Sequence, residues 1–273
     1  MSIPIETVRT GGFEMRYFRF GRGEKTMVIL PGLSVQSVMD AAGAVAQAYE
    51  SMTADFTVYV FDRRADLPEV YTVADMARDT AEAMRAVGLK DIYLFGASQG
   101  GMIAQVIAIE YPELVHAMVL GSTSPRVRPE QYALLEQWIR FAEARDGVSL
   151  YLSFGQLLYP PALFELYRPA LIAAGETVKA ADLDRFVILV RGTEGFDVTD
   201  RLAEIRCPVL VIGVFEDAVL DSDATMQIAE KLDARPDFRL YMYIGYGHAA
   251  YDTAPDYRDR MLRFFKDQEG ETK

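Results

Sequence analysis

The sequence predicts an α/β protein whose mostly parallel sheet is flanked by helices. Short apolar runs of strand length alternate with helical patterns over most of the 273 residues, which is typical of βαβ units. Two alternating segments on either side of Gly11-Gly12 predict an antiparallel hairpin that enters the sheet. Between residues 125 and 195 the alternation stops, and a helical segment rich in aromatic residues takes its place.

The first half of the chain contains six predicted strands and three predicted helices. The second helix has the clearest signal, because Val73, Met76 and Thr80 recur at steps of three and four residues. The apolar run after the hairpin ends at Pro31-Gly32, a pair that disfavours continuation of a strand. The predicted strands are 2–8, 13–20, 26–30, 57–61, 92–95 and 117–120, and the predicted helices are 37–50, 73–87 and 99–111.

The second half of the chain begins with the interruption and then returns to the alternation. The later elements are predicted strands at 208–213 and 238–243 and predicted helices at 223–232 and 256–266. We therefore predict one core domain, built from residues 1–124 and 196–273, with residues 125–195 inserted after one strand of its sheet.

Composition narrows the classes of partner. The formal net charge is −12 and Lys and Arg form no cluster, which argues against binding to nucleic acid or to anionic membranes. The apolar runs are too short to cross a membrane, and the first residues lack the features of a secretory signal. Cys207 is the only cysteine, so no internal disulfide can form. We expect a cytoplasmic protein that acts on a small molecule; its oligomeric state is not indicated.

A serine stands at the turn between the predicted strand 92–95 and the helix that follows it. Its surroundings, Gly96-Ala97-Ser98-Gln99-Gly100, match the pattern Gly-x-Ser-x-Gly. In this context the turn is strained and lifts the hydroxyl out of the sheet, at the N-terminus of the helix. The alternative is that Ser98 only caps the helix, but a cap does not require a glycine on each side. We predict that Ser98 is a nucleophile.

A serine nucleophile needs a base, and the chain has two histidines. His116 precedes the strand 117–120, at the edge of the sheet away from Ser98, and we interpret it as a surface histidine. His248 follows the strand 238–243, at the carboxyl edge where open α/β sheets build their sites. We predict that His248 is the general base.

An acid that orients the histidine is expected at the same edge of the sheet. The strand 208–213 is followed by Val214-Phe215-Glu216-Asp217, which places two carboxylates there. We choose Asp217 as the acid, with Glu216 and Asp221 as alternatives.

The order serine, acid, histidine is that of the α/β-hydrolase superfamily, which this chain resembles over nearly its whole length outside the interruption. The resemblance is carried by VILPGL at 28–33, FGASQGG at 95–101, PVLVIGVFED at 208–217 and GHAAYDTAP at 247–255. It implies that residues 125–195 form a helical cap over the active site. It also implies an oxyanion hole formed by two backbone N–H groups, which on this chain belong to Leu33 and Gln99.

The chain departs from the common pattern of this superfamily in three segments. Pro31-Gly32 stands where many members have His-Gly, which changes little because only a backbone N–H is needed there. Asp62-Arg63-Arg64-Ala65 begins a segment where many members have Asp-x-Arg-Gly, so one wall of the pocket is expected to differ. The acid loop, 213–217, has an extra residue, which is why Asp217 has alternatives.

Together these residues predict a serine hydrolase that cleaves a carboxylic ester or related small acyl substrate through an acyl-enzyme, with no cofactor and no metal. The composition of 125–195 favours an uncharged, apolar acyl group. A substrate carboxylate could instead meet one of its arginines, which are Arg126, Arg128, Arg140, Arg168 and Arg191. The same triad serves acyltransferases, perhydrolases and carbon–carbon bond hydrolases, and a non-enzymatic ligand-binding or signalling protein of this fold is a further alternative.

Overall fold

Eight strands form the centre of the molecule within residues 3–268, the part of the chain that the computed structural model describes. They lie close to the predicted positions, although residue 2 of the first predicted strand falls outside the described residues. The strands are β1 (Ile5–Arg9), β2 (Glu14–Gly21), β3 (Lys25–Leu30), β4 (Phe56–Arg64), β5 (Ile92–Ala97), β6 (Val115–Gly121), β7 (Val209–Val214) and β8 (Phe238–Tyr243).

The strands form a single sheet in the order β1-β2-β4-β3-β5-β6-β7-β8. The pairs β1–β2 and β2–β4 are antiparallel and all the others are parallel, which confirms the predicted mostly parallel sheet with an entering hairpin. In the parallel part, Ala97 pairs with Gly121 and Gly121 pairs with Ile212. This register aligns the carboxyl ends of β5, β6 and β7 at one edge of the sheet.

The described residues contain ten α-helices, of which four belong to the segment between β6 and β7. The helix predicted at 37–50 is wrong in its extent, because only 42–48 is α-helical and a tight 3₁₀ turn stands on each side. Ser37 favours the first of these turns by accepting a hydrogen bond from the N–H of Met39. The helices are α1 (Ala42–Ala48), α2 (Val73–Val87), α3 (Gln99–Glu110), α4 (Pro129–Glu143), α5 (Gly147–Leu158), α6 (Pro161–Thr177), α7 (Ala180–Arg191), α8 (Ser222–Leu232), α9 (Ala250–Thr253) and α10 (Tyr257–Asp267).

Residues 125–195, which we call the helical insertion, contain α4 to α7 and lie between β6 and β7. The two ends of the helical insertion are held together at its base. The N–H of Val127 donates to the carbonyl of Phe196 at 3.0 Å, and the N–H of Val198 donates to the carbonyl of Pro125 at 2.8 Å. The segment therefore leaves and rejoins the sheet at one place, so that the strands on both sides keep their parallel pairing.

Apolar side chains cover both faces of the sheet. One buried cluster joins the sheet to α2 and α3, and a second joins it to α1 and α10. A third cluster lies within the helical insertion around Trp138, Leu150 and Phe186 and reaches the core through Val35. No helix within residues 3–268 has both the length and the apolar character needed to cross a membrane.

Candidate active site

Ser98 occupies the corner between β5 and α3 in a backbone conformation that few L-residues adopt. Its φ is 51° and its ψ is −120°, and such a conformation costs on the order of 1–3 kcal/mol. Hydrogen bonds hold it in place, because the N–H of Ser98 donates to the carbonyl of Gly121 at 2.9 Å and the hydroxyl of Thr123 donates to the carbonyl of Ser98 at 2.7 Å. The end of the neighbouring strand β6 and the segment directly after it therefore hold the strained corner in place.

The glycines on both sides of Ser98 are required by close backbone approaches. A Cβ added to Gly96 would lie 2.4 Å from the carbonyl oxygen of Gly100. A Cβ added to Gly100 would lie 2.0 Å from the carbonyl oxygen of Leu30, at the end of β3. The turn can be this tight only because neither residue has a side chain.

His248 and Asp217 meet at the same edge of the sheet. Nδ1 of His248 lies 2.8 Å from Oδ2 of Asp217, and both side chains are buried. Oδ1 of Asp217 accepts hydrogen bonds from the N–H groups of Val219 and Leu220, each at 2.9 Å. Because Asp217 occupies Nδ1, the second ring nitrogen of His248, Nε2, is left for other contacts.

The pKa of the Asp217 carboxyl lies below its usual range. Burial alone would raise this pKa, but the charge of His248 and the hydrogen bonds from His248, Leu220 and Val219 favour the ionised form more strongly. Asp217 is therefore a carboxylate at neutral pH, suited to orient a histidine and to stabilise its charged form.

Ser98 and His248 line one narrow cavity of about 40 Å³ beneath the helical insertion. The imidazole and the serine thus face a common space, together with both residues expected to form the oxyanion hole. The residues that line the cavity are Leu33, Ser98, Gln99, Met102, Val127, Gln131, Leu134, Leu135, Trp138, Phe154, Leu158, Thr193, Val219, Leu220, His248 and Tyr251.

The backbone N–H groups of Leu33 and Gln99 are available to a ligand. Within residues 3–268 the backbone hydrogen-bond pattern gives neither group an acceptor. The segment that carries Leu33 passes close to the serine, since a Cβ added to Gly32 would lie 3.2 Å from Cβ and 3.8 Å from Oγ of Ser98. Gln99 directly follows Ser98 at the start of α3. Two N–H groups without an acceptor in the described residues therefore belong to residues that line the same cavity as Ser98.

Comparison with known proteins agrees with the fold. A family model described as alpha/beta hydrolase fold matches residues 25–255. This chain belongs to the alpha/beta hydrolase family. Its relatives include a Rhizobium rhizogenes protein named "Putative carbamate hydrolase RutD", 25% identical over 252 residues, which cover 89% of this chain and 93% of the relative.

Solved structures of other alpha/beta hydrolases share the architecture. MGS-M2, an enzyme from a deep-sea metagenome library, superimposes with a TM-score of 0.84 at 20% identity, over 96% of this chain and 97% of the other. A thermophilic esterase from Thermogutta terrifontis superimposes with a TM-score of 0.79 at 19% identity, over 98% and 99% of the two chains. At this identity the likeness establishes the fold, while the family match and the named relatives make the chain a hydrolase of this family.

The other candidate residues of this alpha/beta hydrolase have different partners. Glu216 accepts a hydrogen bond from the N–H of Gly245 at 2.7 Å, and Asp221 caps α8 and forms an ion pair with Arg128. His116 lies on β6 beside Asp91, with Nδ1 at 2.9 Å from a carboxylate oxygen. Within the described residues, none of the five arginines named as possible partners of a substrate carboxylate lines the cavity that Ser98 and His248 share.

One expectation about the pocket is wrong. The departure from the common pattern in the segment that begins at Asp62 is expected to change one wall of the pocket, yet no residue of 62–68 is among those that line the cavity of the described chain. The reason is that β4 continues to Arg64, three residues beyond the predicted strand, so these side chains are built into the sheet. Arg63 is buried under the site, where burial lowers its pKa to about 10 and leaves it charged at neutral pH.

Several residues of the alpha/beta hydrolase site gave no usable signal in the sequence. Gln131 and Tyr251 line the cavity, although both lie in helices whose patterns do not distinguish a pocket from a core. Gln131 also donates to the carbonyl of Leu220 at 2.8 Å, which attaches the helical insertion to the loop that positions Asp217. The charged Asp62-Arg63 pair directly after an apolar run was the one visible sign of buried polar contacts in β4.

Proposed function

We propose that this chain is a serine hydrolase that cleaves a carboxylic ester or related small acyl substrate through an acyl-enzyme intermediate. One observation carries the proposal: Ser98, His248 and the residues of two free N–H groups line a single cavity, and His248 is hydrogen-bonded to the buried carboxylate of Asp217. A nucleophile, a base, an orienting acid and oxyanion donors are the groups that acyl transfer requires.

In this mechanism Nε2 of His248 accepts the hydroxyl proton of Ser98 while Oγ bonds to the substrate carbonyl carbon. The N–H groups of Leu33 and Gln99 donate to the resulting oxyanion. The bond to the leaving alcohol then breaks, and the alcohol takes the proton from Nε2. A water molecule gives a proton to the same nitrogen as its oxygen bonds to the acyl carbon. The bond to Oγ then breaks, Oγ takes the proton back from Nε2, and the acid is released.

The lining of the cavity supports an uncharged acyl group. None of its sixteen residues is Lys, Arg, Asp or Glu. Three of its polar side chains are engaged by the fold: Gln99 contacts Arg63 and the carbonyl of Leu189, Gln131 contacts the carbonyl of Leu220 and the N–H of Arg128, and Thr193 donates to the carbonyl of Val190. A carboxylate placed here would lose its hydration without gaining a cation, which is unfavourable. The helical insertion supplies most of the apolar lining and acts as a cap.

Hydrolysis of a neutral carbamate ester is a second candidate, favoured by the RutD relatives, which match most of the chain. A carbamate ester carries a carbonyl and a leaving alcohol, so the same groups can act on it. An anionic carbamate is disfavoured by the uncharged lining of the cavity.

The experiment compares the wild-type protein with Ser98→Ala on p-nitrophenyl acetate, p-nitrophenyl butyrate and a neutral p-nitrophenyl carbamate. We expect Ser98→Ala to lower kcat by at least about 10³-fold, because the oxyanion donors alone retain only a small part of catalysis. Ser51→Ala, an exposed serine outside the cavity, serves as the matched control. Equal turnover by Ser98→Ala and wild type would refute the mechanism, and faster turnover of the carbamate would favour the second candidate.

A further inference from the structure

The guanidinium group of Arg63 lies between the two segments that carry the proposed oxyanion donors. Arg63 is the next-to-last residue of β4 and is only 4% exposed. Its Nη2 donates to the carbonyl of Pro31 at 2.9 Å and to Oε1 of Gln99 at 3.1 Å. Pro31 stands two residues before Leu33. One nitrogen atom is therefore hydrogen-bonded to both segments.

The side chain of Gln99 is held at both ends of its amide. Oε1 accepts from Arg63, and Nε2 donates to the carbonyl of Leu189 in α7 at 2.8 Å. Arg63 can only donate, which fixes the orientation of the amide. Gln99 is 2% exposed, so its side chain has no freedom to leave these partners. The first residue of α3 is thus anchored to β4 on one side and to the helical insertion on the other.

A buried guanidinium is unfavourable unless its surroundings compensate for the lost hydration. Asp62 supplies a neighbouring negative charge, and its Oδ1 accepts the backbone N–H of Arg63 at 2.7 Å. A methionine would fill the same space without this requirement. Compared with methionine, the guanidinium of Arg63 adds the hydrogen bonds to Pro31 and Gln99.

We propose that Arg63 is a positioning residue that sets the spacing between the N–H groups of Leu33 and Gln99. This role rests on the proposed function, because it concerns the oxyanion hole of that reaction. Oxyanion donors act only when they lie at hydrogen-bond distance from the oxygen of the tetrahedral intermediate. Arg63 acts through these donors and does not line the cavity.

The test is Arg63→Met, which keeps the length of the side chain and removes its hydrogen bonds. With p-nitrophenyl acetate we expect kcat to fall about 10- to 100-fold while KM changes by less than about threefold, because only the transition state uses the oxyanion hole. The rate ratio between the oxygen ester and the matching thionoester should shrink in the variant. Sulfur is a poor hydrogen-bond acceptor, so that ratio reports the oxyanion contacts, and a general loss of structure would not change it.

Arg64→Met is the matched control, because Arg64 is the next residue of β4 and contacts Asp79 and the carbonyl of Gly12 instead. Its kcat and its rate ratio should stay within about twofold of wild type. Gln99→Met should reproduce the effect of Arg63→Met, and the double variant should add little, because both remove one connected set of contacts. If Arg63→Met does not fold, Arg63→Lys retains the charge, but its shorter side chain draws the donor away from Pro31 and Gln99, so it should show the same change in the rate ratio.

The role of Arg63 would be overturned if folded Arg63→Met kept both the kcat and the oxygen-to-thiono rate ratio of wild type. The same result in folded Arg63→Lys would overturn it where that variant is used. In either case the Ser98-dependent turnover of wild type would still support the proposed function. Absence of Ser98-dependent turnover in wild type would overturn the proposed function and the role of Arg63 together. Near-ultraviolet circular dichroism of each variant establishes that folded proteins are compared.

Discussion

His248 and Asp217 share a hydrogen bond of 2.8 Å, and their side chains are only 1% and 3% exposed to solvent. Solvent therefore screens this pair very little. The contact also determines that Nδ1 of His248 is held by the acid and that Nε2 is left for other partners. The geometry leads to quantitative expectations for this pair and for the residues around it.

Asp217→Asn should lower kcat by about 10⁴-fold, the size of the effect that the same replacement has in a serine protease. The amide can offer an N–H to Nδ1 and so favour the wrong tautomer of His248. Glu216→Gln is the control, since Glu216 contacts Gly245 and not His248, and its kcat should stay within about twofold of wild type. Initial rates on p-nitrophenyl butyrate give the kcat of both variants. An equal loss of kcat in Asp217→Asn and Glu216→Gln would contradict the choice of Asp217 as the orienting acid.

Acid should reduce the stability advantage of wild type over Asp217→Asn. The folded-state pKa of Asp217 is lowered, whereas an unfolded aspartate titrates near pH 3.9. Its ionised form therefore contributes stability that is present above about pH 4 and is lost as the pH falls through the lower, folded value. Urea unfolding between about pH 6 and about pH 3 should show the difference in unfolding free energy shrinking. A difference that stays constant over this range would disprove the assignment.

Leu134→Ala should shift the preferred acyl chain toward longer esters. Leu134 in α4 lines the cavity that Ser98 and His248 share, so its side chain limits the room for an acyl chain there. Removing the leucine side chain extends the cavity in the variant. Leu166→Ala, on the exposed side of α6 at 69% exposure, is the control and should keep the wild-type profile. The test is the kcat/KM measured across p-nitrophenyl esters of increasing acyl length. Identical profiles for Leu134→Ala and wild type would count against this cavity as the site of the acyl group.

Arg185→Met should lower the free energy of unfolding by about 3 kcal/mol, because it removes one partner of a buried ion pair. Arg185 in α7 pairs with Asp62 in β4, and their side chains are 17% and 7% exposed. Arg191→Met is the control at the end of the same helix, since its partners Glu143 and Glu194 are about half exposed. It should cost less than about 1 kcal/mol. Urea titrations of both variants compare the two, and equal costs would show that the Asp62 pair does not attach the helical insertion to the core.

The amino-acid sequence alone predicts most of the strands and helices and their arrangement in a mostly parallel sheet. The alternation of strand and helix, and the serine between β5 and α3, follow from local periodicity and from the conformational freedom of glycine, which neighbours along the chain determine. The parallel sheet then implies that the segments after β5, β7 and β8 meet at one edge. These arguments predict Ser98 and His248 at one edge of the sheet, and both residues line the cavity there.

Tertiary structure decided which side chains make contact. Three acids follow β7 within a few residues, and only the path of the loop in space directs Asp217, rather than Glu216 or Asp221, toward His248. The role of Arg63 depends on Pro31 and Gln99, which are 32 and 36 residues away along the chain. Hydrogen bonds between such distant residues leave no periodic pattern in a sequence, because their geometry depends on how the strands and helices pack.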